Sequence, residues 1–553
     1  MKHKRWRIAG GITIIAGLTA LSLAWTKGDD FQLVKSINIF CSVFREMVQN
    51  YADEISPEKM VTHGINCMLQ SLDPYSVYYP EEESRELKQR HSGKYAGVGA
   101  SIIRHNNTIY VMEIMEGSPA QRDGLKKGDI ILAIDSVQIT HQDTEEVGQM
   151  LRGEAKTEVT VTVKRKDKII PLRIRRDNIT IPNVPYYGMT DDSMAYIKLT
   201  GFTNNAAREV KNALKTLKKN KPKGIILDLR DNPGGLLTEA IDIVNLFIEK
   251  GKVIVTLKKR NTVKIAEYRT QHEPSDTSTP LAVLVNQSSA SAAEIVAGAI
   301  QDLDRGIIIG QKTFGKGLVQ TEIPMPYNSF LNLTTSKYYI PSGRCIQTID
   351  YFTKNHETGA TAANEISKKE FNTLHGRPVT DGGGISPDLL ITPDTVSYFV
   401  KTLIDSLWIF KYSNEYALLH PMPPVKSAFA ITPAILNDFT NYLIAHHFSC
   451  SSPVEQSLRL IENYFKTLRQ EEKTQREIDH LRQYLNNSNN LSQLVRENSQ
   501  VISSLLYAEI CEHYYYRHGK IDASLKNDKE IQKATGVLNT PALYKELLFS
   551  KKP

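Results

Sequence analysis

Three serines, Ser288, Ser289 and Ser291, crowd the sequence VNQSSASAAEIVAG, and a lysine set between glycines, Lys316, follows 25 residues after the last of them. No histidine lies between Val285 and Gln320. Such a set offers acyl transfer by a serine hydroxyl, with a lysine amine in place of imidazole as the base. Lysine is ordinarily protonated, with a pKa of about 10.4. Burial among apolar neighbours lowers that value, and Phe314, Leu318 and Val319 surround Lys316 in sequence. The amide of Gln320, four residues further on, could orient the amine. Ser291 is the best placed nucleophile, because Ala290 and Ala292 leave room for a substrate backbone. Ser288 and Ser289 could instead cap the helix that starts there.

Two elements must position this chemistry. PLAVLVNQSSA reads as a buried strand running into a helix that begins at Ala292. A helix mouth presents free N–H groups that favour negative charge, so the N–H groups adjacent to the serine could hold an oxyanion. KGIILDLRDNPGG is a second buried strand, ending in a glycine pair. Gly234 or Gly235 can present a second N–H if the two strands are neighbours, since loops converge at the carboxyl edge of a parallel sheet. The residues leave open which glycine it is.

Composition bounds the rest. The 553 residues, 41% hydrophobic and 23% charged, suit several globular domains. A net charge of +7 spread over that length, without an arginine-rich stripe, gives no support to nucleic-acid binding. The five cysteines form no CxxC pair, so zinc and redox readings have no basis, and no metal is expected. MKHKRWR precedes 18 residues without a charge, Ile8 to Trp25. As a helix these span about 27 Å, close to a bilayer's hydrocarbon core. Basic residues before them keep the N-terminus cytoplasmic. A cleavable signal peptide and an uncleaved anchor both fit. Either one exports the chain, and an uncleaved anchor is expected.

Hydropathy patterning divides the chain. Residues 1–27 hold the export segment and 28–92 read as helical. Residues 93–177 alternate as short strands framing two helices, a small β-barrel. In 178–397, apolar strands alternate with helices, which means a sheet covered on both faces. Residues 398–553 are helical and carry no legible chemistry.

An ordered set of motifs resembles one family: LDPYSVYY, YAGVGASI, GSPAQRDGLKKGDIILAIDS, YIKLTGF, GIILDLRDNPGG, VLVNQSSASAAEIVAGAIQD, TFGKGLVQ, YYIPSGRCIQ and GGGISPD, over about residues 35–395. The chain resembles the carboxyl-terminal processing peptidases, the tail-specific serine proteases of family S41 with an embedded PDZ domain. Tyr75 stands where histidine is common in that family, and Ala293 where serine is usual. The resemblance implies a multidomain α/β protein: a crotonase-like or ClpP-like protease core, an inserted PDZ domain, and helical regions at both ends. It implies Ser291 as nucleophile, Lys316 as base, Gln320 orienting the lysine, and an oxyanion hole from Ala292 and Gly234 or Gly235. In the PDZ it implies that Ala96, Gly97, Val98 and Gly99 hold a peptide C-terminus, which adds a strand to the sheet edge. Arg152 matches an arginine that couples the PDZ to the active site. No cofactor is implied.

The expected activity is an exported serine endopeptidase recognising protein C-terminal tails, in the periplasm or cell envelope, anchored to the inner membrane by residues 8–25. Its partners would be tailed protein substrates, the membrane, and a second copy or an adaptor protein, but no nucleic acid. The alternative is a PDZ scaffold or chaperone that binds tails without cutting, against which the intact Ser291, Lys316 and Gln320 set argues. A crotonase-type acyl-CoA enzyme shares the core fold, but fold alone does not license function.

Overall fold

The computed structural model describes residues 29–81, 83–84, 92–259, 263–349, 351, 369–393, 396–421, 429–450, 457–458, 460–464, 476–481 and 490–549. The export segment, Ile8 to Trp25, lies outside the described residues.

At the centre is a six-stranded sheet in the order Tyr186–Met189, Met194–Lys198, Gly224–Asp228, Leu281–Val285, Ile307–Gly310, Leu389–Leu390. The first pair is antiparallel and the rest are parallel. Parallel strands must be apolar on both faces, and these are buried throughout their middle. Ile225 and Leu227 point to one face, where helices Ala206–Leu217, Leu237–Asn245 and Ala292–Asp302 pack. Ile226, Ala282 and Leu284 point to the other. There they meet Ile531, Ala534, Val537, Leu538, Tyr544 and Leu548 from the chain's last two helices, Lys529–Leu538 and Pro541–Phe549. Each fully buried Ile or Leu contributes about 1.5–3 kcal/mol, so the C-terminal segment is the second covering layer of the sheet.

A second, antiparallel sheet joins Val77–Tyr79, Phe330–Tyr339, Val253–Lys258 and Lys264–Arg269, with Leu318–Pro324 also on Phe330–Tyr339. The small barrel has strands Ala100–His105, Thr108–Ile114, Ile130–Ile134, Glu158–Arg165 and Lys168–Arg175, with Lys94–Gly97 pairing Asp177–Thr180. Val111, Val147, Val161 and Ile174 fill its core.

The C-terminal helices join barrel to core. Helices Tyr398–Asp405, Trp408–Leu419 and Pro433–Ala445 pack against Ser499–Leu525. That last helix is kinked at Tyr516, where φ is 55° and ψ −160°. Before the kink, Glu509 and Glu512 grip the barrel's Lys127, whose side chain is largely covered. Beyond it, Asp522 accepts the hydroxyl of Tyr186 on the core sheet.

Candidate active site

The strands Gly224–Asp228 and Leu281–Val285 are adjacent and parallel, so the loops that follow them meet at one sheet edge. They are stitched together. Asp231 N–H donates to Asn286 Oδ1 at 3.0 Å, and Asn286 Nδ2 returns to Asp231 Oδ1 at 2.8 Å. Ala290 N–H donates to the Asn232 carbonyl at 3.0 Å. The buried Ser289 hydroxyl donates to the Leu229 carbonyl at 2.8 Å. Ser289 is thus committed to the loop, Ser288 is exposed, and neither caps the helix as their positions had suggested. Ser291 occupies the cap position itself, with φ 54° and ψ −114°. Such a backbone is costly for a residue with a Cβ and persists only where its surroundings impose it.

Glu294 imposes it. This fully buried carboxylate accepts four hydrogen bonds: Ser291 N–H at 2.8 Å, Lys316 N–H at 2.9 Å, Gly315 N–H at 2.7 Å and the Thr313 hydroxyl at 2.5 Å. Burial pushes its carboxyl upward, and the four donors oppose that. Three of the partners are main-chain N–H groups that can only donate, so the arrangement requires acceptor oxygens. Tyr338 supplies the other half of the clamp. Its fully buried hydroxyl lies 2.5 Å from the Lys316 carbonyl and 3.2 Å from the Ser291 carbonyl. Burial holds that hydroxyl well above its usual pKa, so it stays a donor. The main chains of Ser291 and Lys316 are therefore bridged twice, through their N–H groups and through their carbonyls.

The lysine side chain has a defined place. Burial pushes the Lys316 amine below its usual pKa, against the upward pull of Asp73 and Glu294. Its Nζ lies 4.3 Å from the centre of the Tyr75 ring, a cation–π distance. The LDPYS turn delivers that ring. Asp73 accepts Tyr75 N–H and Ser76 N–H, both at 2.8 Å, and Ser76 Oγ accepts Thr334 N–H at 3.1 Å, docking the turn on the second sheet. Gln320 Nε2 donates to Thr334 Oγ1 at 3.0 Å, so this amide is engaged on the neighbouring strand.

At the glycine turn, Gly234 has φ +98°, and a Cβ there would come within 2.9 Å of Ser291 Cβ and 3.0 Å of Ala292 N. Only glycine permits that approach. Gly234 N–H is occupied, donating to Asn232 Oδ1 at 2.9 Å. Among the described residues none accepts from Ala292 N–H or Gly235 N–H. Asp228, at the root of this loop, is fully buried with Tyr196, Lys198 and Arg230 around it. Burial alone would push its carboxyl up, but Arg230 and Lys198 hold it well below the usual carboxylate range.

In the barrel, Ala96 and Gly97 lie on the strand Lys94–Gly97, and Val98 and Gly99 follow it. A cavity of about 360 Å³ opens beside them, walled by Val98, Ile102, Leu151, Arg152 and Ile181. Arg152 ends the helix Thr144–Leu151 and lies 5.8 Å from the Tyr95 ring, a contact within the barrel.

Comparison with known proteins shows the family. Residues 193–357 match Peptidase family S41, residues 110–165 a PDZ domain, and residues 399–538 the C-terminal helical domain of probable PDZ-proteases. A carboxy-terminal-processing protease of Bartonella bacilliformis is 36% identical over 346 residues, covering 61% of this chain and 79% of that one. The chain belongs to peptidase family S41. A probable CtpA-like serine protease of Staphylococcus aureus is 33% identical over 352 residues, 62% of this chain and 71% of that one. The solved photosystem II D1 C-terminal processing protease is 24% identical, covers 64% of this chain and 87% of its own, and overlays with a TM-score of 0.37, too loosely to carry an inference. This S41 chain is accordingly a serine-type peptidase with a PDZ domain and a C-terminal helical domain.

Tyr338 and Asn286 carry no sign in the sequence of belonging to this site, because each reaches it through a contact distant in sequence, whereas Asn232 accepts Gly234 N–H only two residues on. Glu294 did carry a local signal: a glutamate three residues after a serine cap is the pattern of a capping box.

Proposed function

We propose that this peptidase binds the C-terminal tails of unfolded proteins in the PDZ cavity and cuts them by acyl-enzyme chemistry on Ser291, with Lys316 as base. The supporting observation is the double bridge of Glu294 and Tyr338, which spends two buried polar side chains on holding one serine beside one lysine. Neutral Lys316 takes the hydroxyl proton as Ser291 Oγ attacks the scissile carbonyl. Ala292 N–H and Gly235 N–H hold the oxyanion, Gly235 being favoured because Gly234 N–H is occupied. The lysine then returns the proton to the leaving amine. Water, deprotonated by the same amine, releases the acyl group. Gln320 would orient the amine only after exchanging its bond to Thr334.

In the PDZ, a tail's carboxylate would meet N–H groups of the segment Ala96, Gly97, Val98, Gly99, and its last side chain would enter the cavity. Residues 8–25 would anchor the chain on the outer side of an inner membrane. Arg152, on the cavity wall, would sense the tail. The test compares wild type, Ser291→Ala and Lys316→Ala on an unfolded protein with an apolar C-terminus, intact and removed. Cutting by wild type alone, slower without the tail, is expected. Cutting that survives Ser291→Ala would place the nucleophile elsewhere.

A further inference from the structure

Arg230 lies between the buried Asp228 and the glycine turn, and its guanidinium is shared between two parts of the chain. Nε and Nη2 bond Asp228, at 3.0 and 2.6 Å. Nη1 reaches out of the peptidase core to Asp528 Oδ2 at 2.8 Å and to the Glu530 carboxylate. Those two acids open the helix Lys529–Leu538, on the sheet face opposite the helix of Ser291. The anchor they offer is rigid. Asp528 is the helix cap and accepts Glu530 N–H and Ile531 N–H, both at 3.0 Å. Ile531, Ala534, Val537 and Leu538 bury the helix against the sheet.

The main chain beyond Arg230 has no comparable freedom to absorb a displacement. Its carbonyl accepts Lys198 Nζ at 2.9 Å, Asp231 N–H is bonded to Asn286, and the Asn232 carbonyl holds Ala290 N–H. A shift of Arg230 therefore passes into residues 231–235 and across to the loop of Ser291. Asp228 fixes one side of the guanidinium, and the C-terminal carboxylates fix the other.

We propose that Asp528 and Glu530 are positioning residues for peptide hydrolysis: from the C-terminal helical domain they hold Arg230, and through it the glycine turn that faces Ser291. This rests on the oxyanion role given to that turn. The C-terminal domain thereby completes the active site although it contributes no group to the reacting atoms.

The test uses the full chain with Asp528→Asn, Glu530→Gln and both. Asparagine caps a helix as well as aspartate, and glutamine keeps the shape of glutamate, so the layer is retained. Functional sites are counted by stoichiometric labelling with a serine-directed fluorophosphonate, and rates are expressed per labelled site. The double variant should lose about tenfold or more in kcat per site, a fraction of what deleting an oxyanion donor costs. Inhibition by a peptide aldehyde, whose hemiacetal oxygen occupies the oxyanion hole, should weaken by the same factor, with KM within about twofold of wild type. Glu530→Asp should retain more activity than Glu530→Gln. A double variant with wild-type kcat per site and wild-type aldehyde affinity overturns the proposal, as does a loss accounted for wholly by fewer labelled sites. Cleavage that persists in Ser291→Ala refutes the reading of the site itself, whatever these variants do.

Discussion

Replacing Glu294 by glutamine tests the geometry most directly, because the side chain keeps its size and loses one acceptor oxygen. Oε2 serves Ser291 N–H and Lys316 N–H, and Oε1 serves Gly315 N–H and the Thr313 hydroxyl. An amide NH₂ in either place faces two donors. In the Oε1 place the Thr313 hydroxyl can turn away, although its oxygen already accepts Ile385 N–H at 2.6 Å. Gly315 N–H cannot adapt. A buried donor left without a partner costs about 1–3 kcal/mol, so two cost about 2–6 kcal/mol, less whatever relief comes from no longer burying a charge. The loss falls on the loop 313–316, not on global unfolding, because Glu294 ties that loop to the helix mouth. Amide hydrogen exchange is the assay. If exchange proceeds through local opening, Gly315 and Lys316 should exchange at least about 30-fold faster, the lower end of that range converted at 1.36 kcal/mol per decade. Loss of register between Ser291 and Lys316 should lower kcat by about 100-fold, the scale of a 1 Å misplacement. Wild-type protection at Gly315 and Lys316 together with wild-type kcat would refute the clamp.

Four further outcomes are expected. Tyr338→Phe removes the hydroxyl that bridges the Ser291 and Lys316 carbonyls and should lower kcat by about tenfold with little change in KM, the cost of one hydrogen bond of about 1.4 kcal/mol; steady-state kinetics checks it, and a proportionate rise in KM counts against it. Because only neutral Lys316 is a base and burial lowers its pKa, kcat/KM should rise with pH to a midpoint below the ordinary lysine value of about 10.4. Asp73 pulls that pKa upward, so Asp73→Asn should move the midpoint to lower pH; an upward movement in the pH profile contradicts the assignment. Lys127→Met leaves Glu509 and Glu512 with Lys520 alone and should weaken the barrel's seat on the helix Ser499–Leu525 by about 3 kcal/mol, read as faster exchange across residues 505–512.

The candidate chemistry of this protein is legible in its sequence wherever it depends on residue type and local spacing. A serine at a strand-to-helix turn, a lysine between glycines 25 residues on, and a glycine pair ending another apolar strand are patterns written over a few residues each. The helix N-terminus shows where an oxyanion could sit, and the family resemblance implies Ala292 as a donor. That Ser289 is engaged required the third dimension: its hydroxyl meets the Leu229 carbonyl, 60 residues away in sequence. The proposed choice of Gly235 over Gly234 rests on Asn232, whose side chain accepts Gly234 N–H.

The C-terminal helices mark the boundary most clearly. Their apolar stripes foretold helices that pack on something, but amphipathicity carries no address. Only folding lays Ile531 and Leu538 on the sheet's open face and brings Asp528 and Glu530 to Arg230, across some 300 residues. The sequence determined which groups could react and on what local elements they stand. The tertiary structure decided which are free, which are spent on holding others, and which distant carboxylates support them, because those questions turn on contacts between segments that no local period encodes.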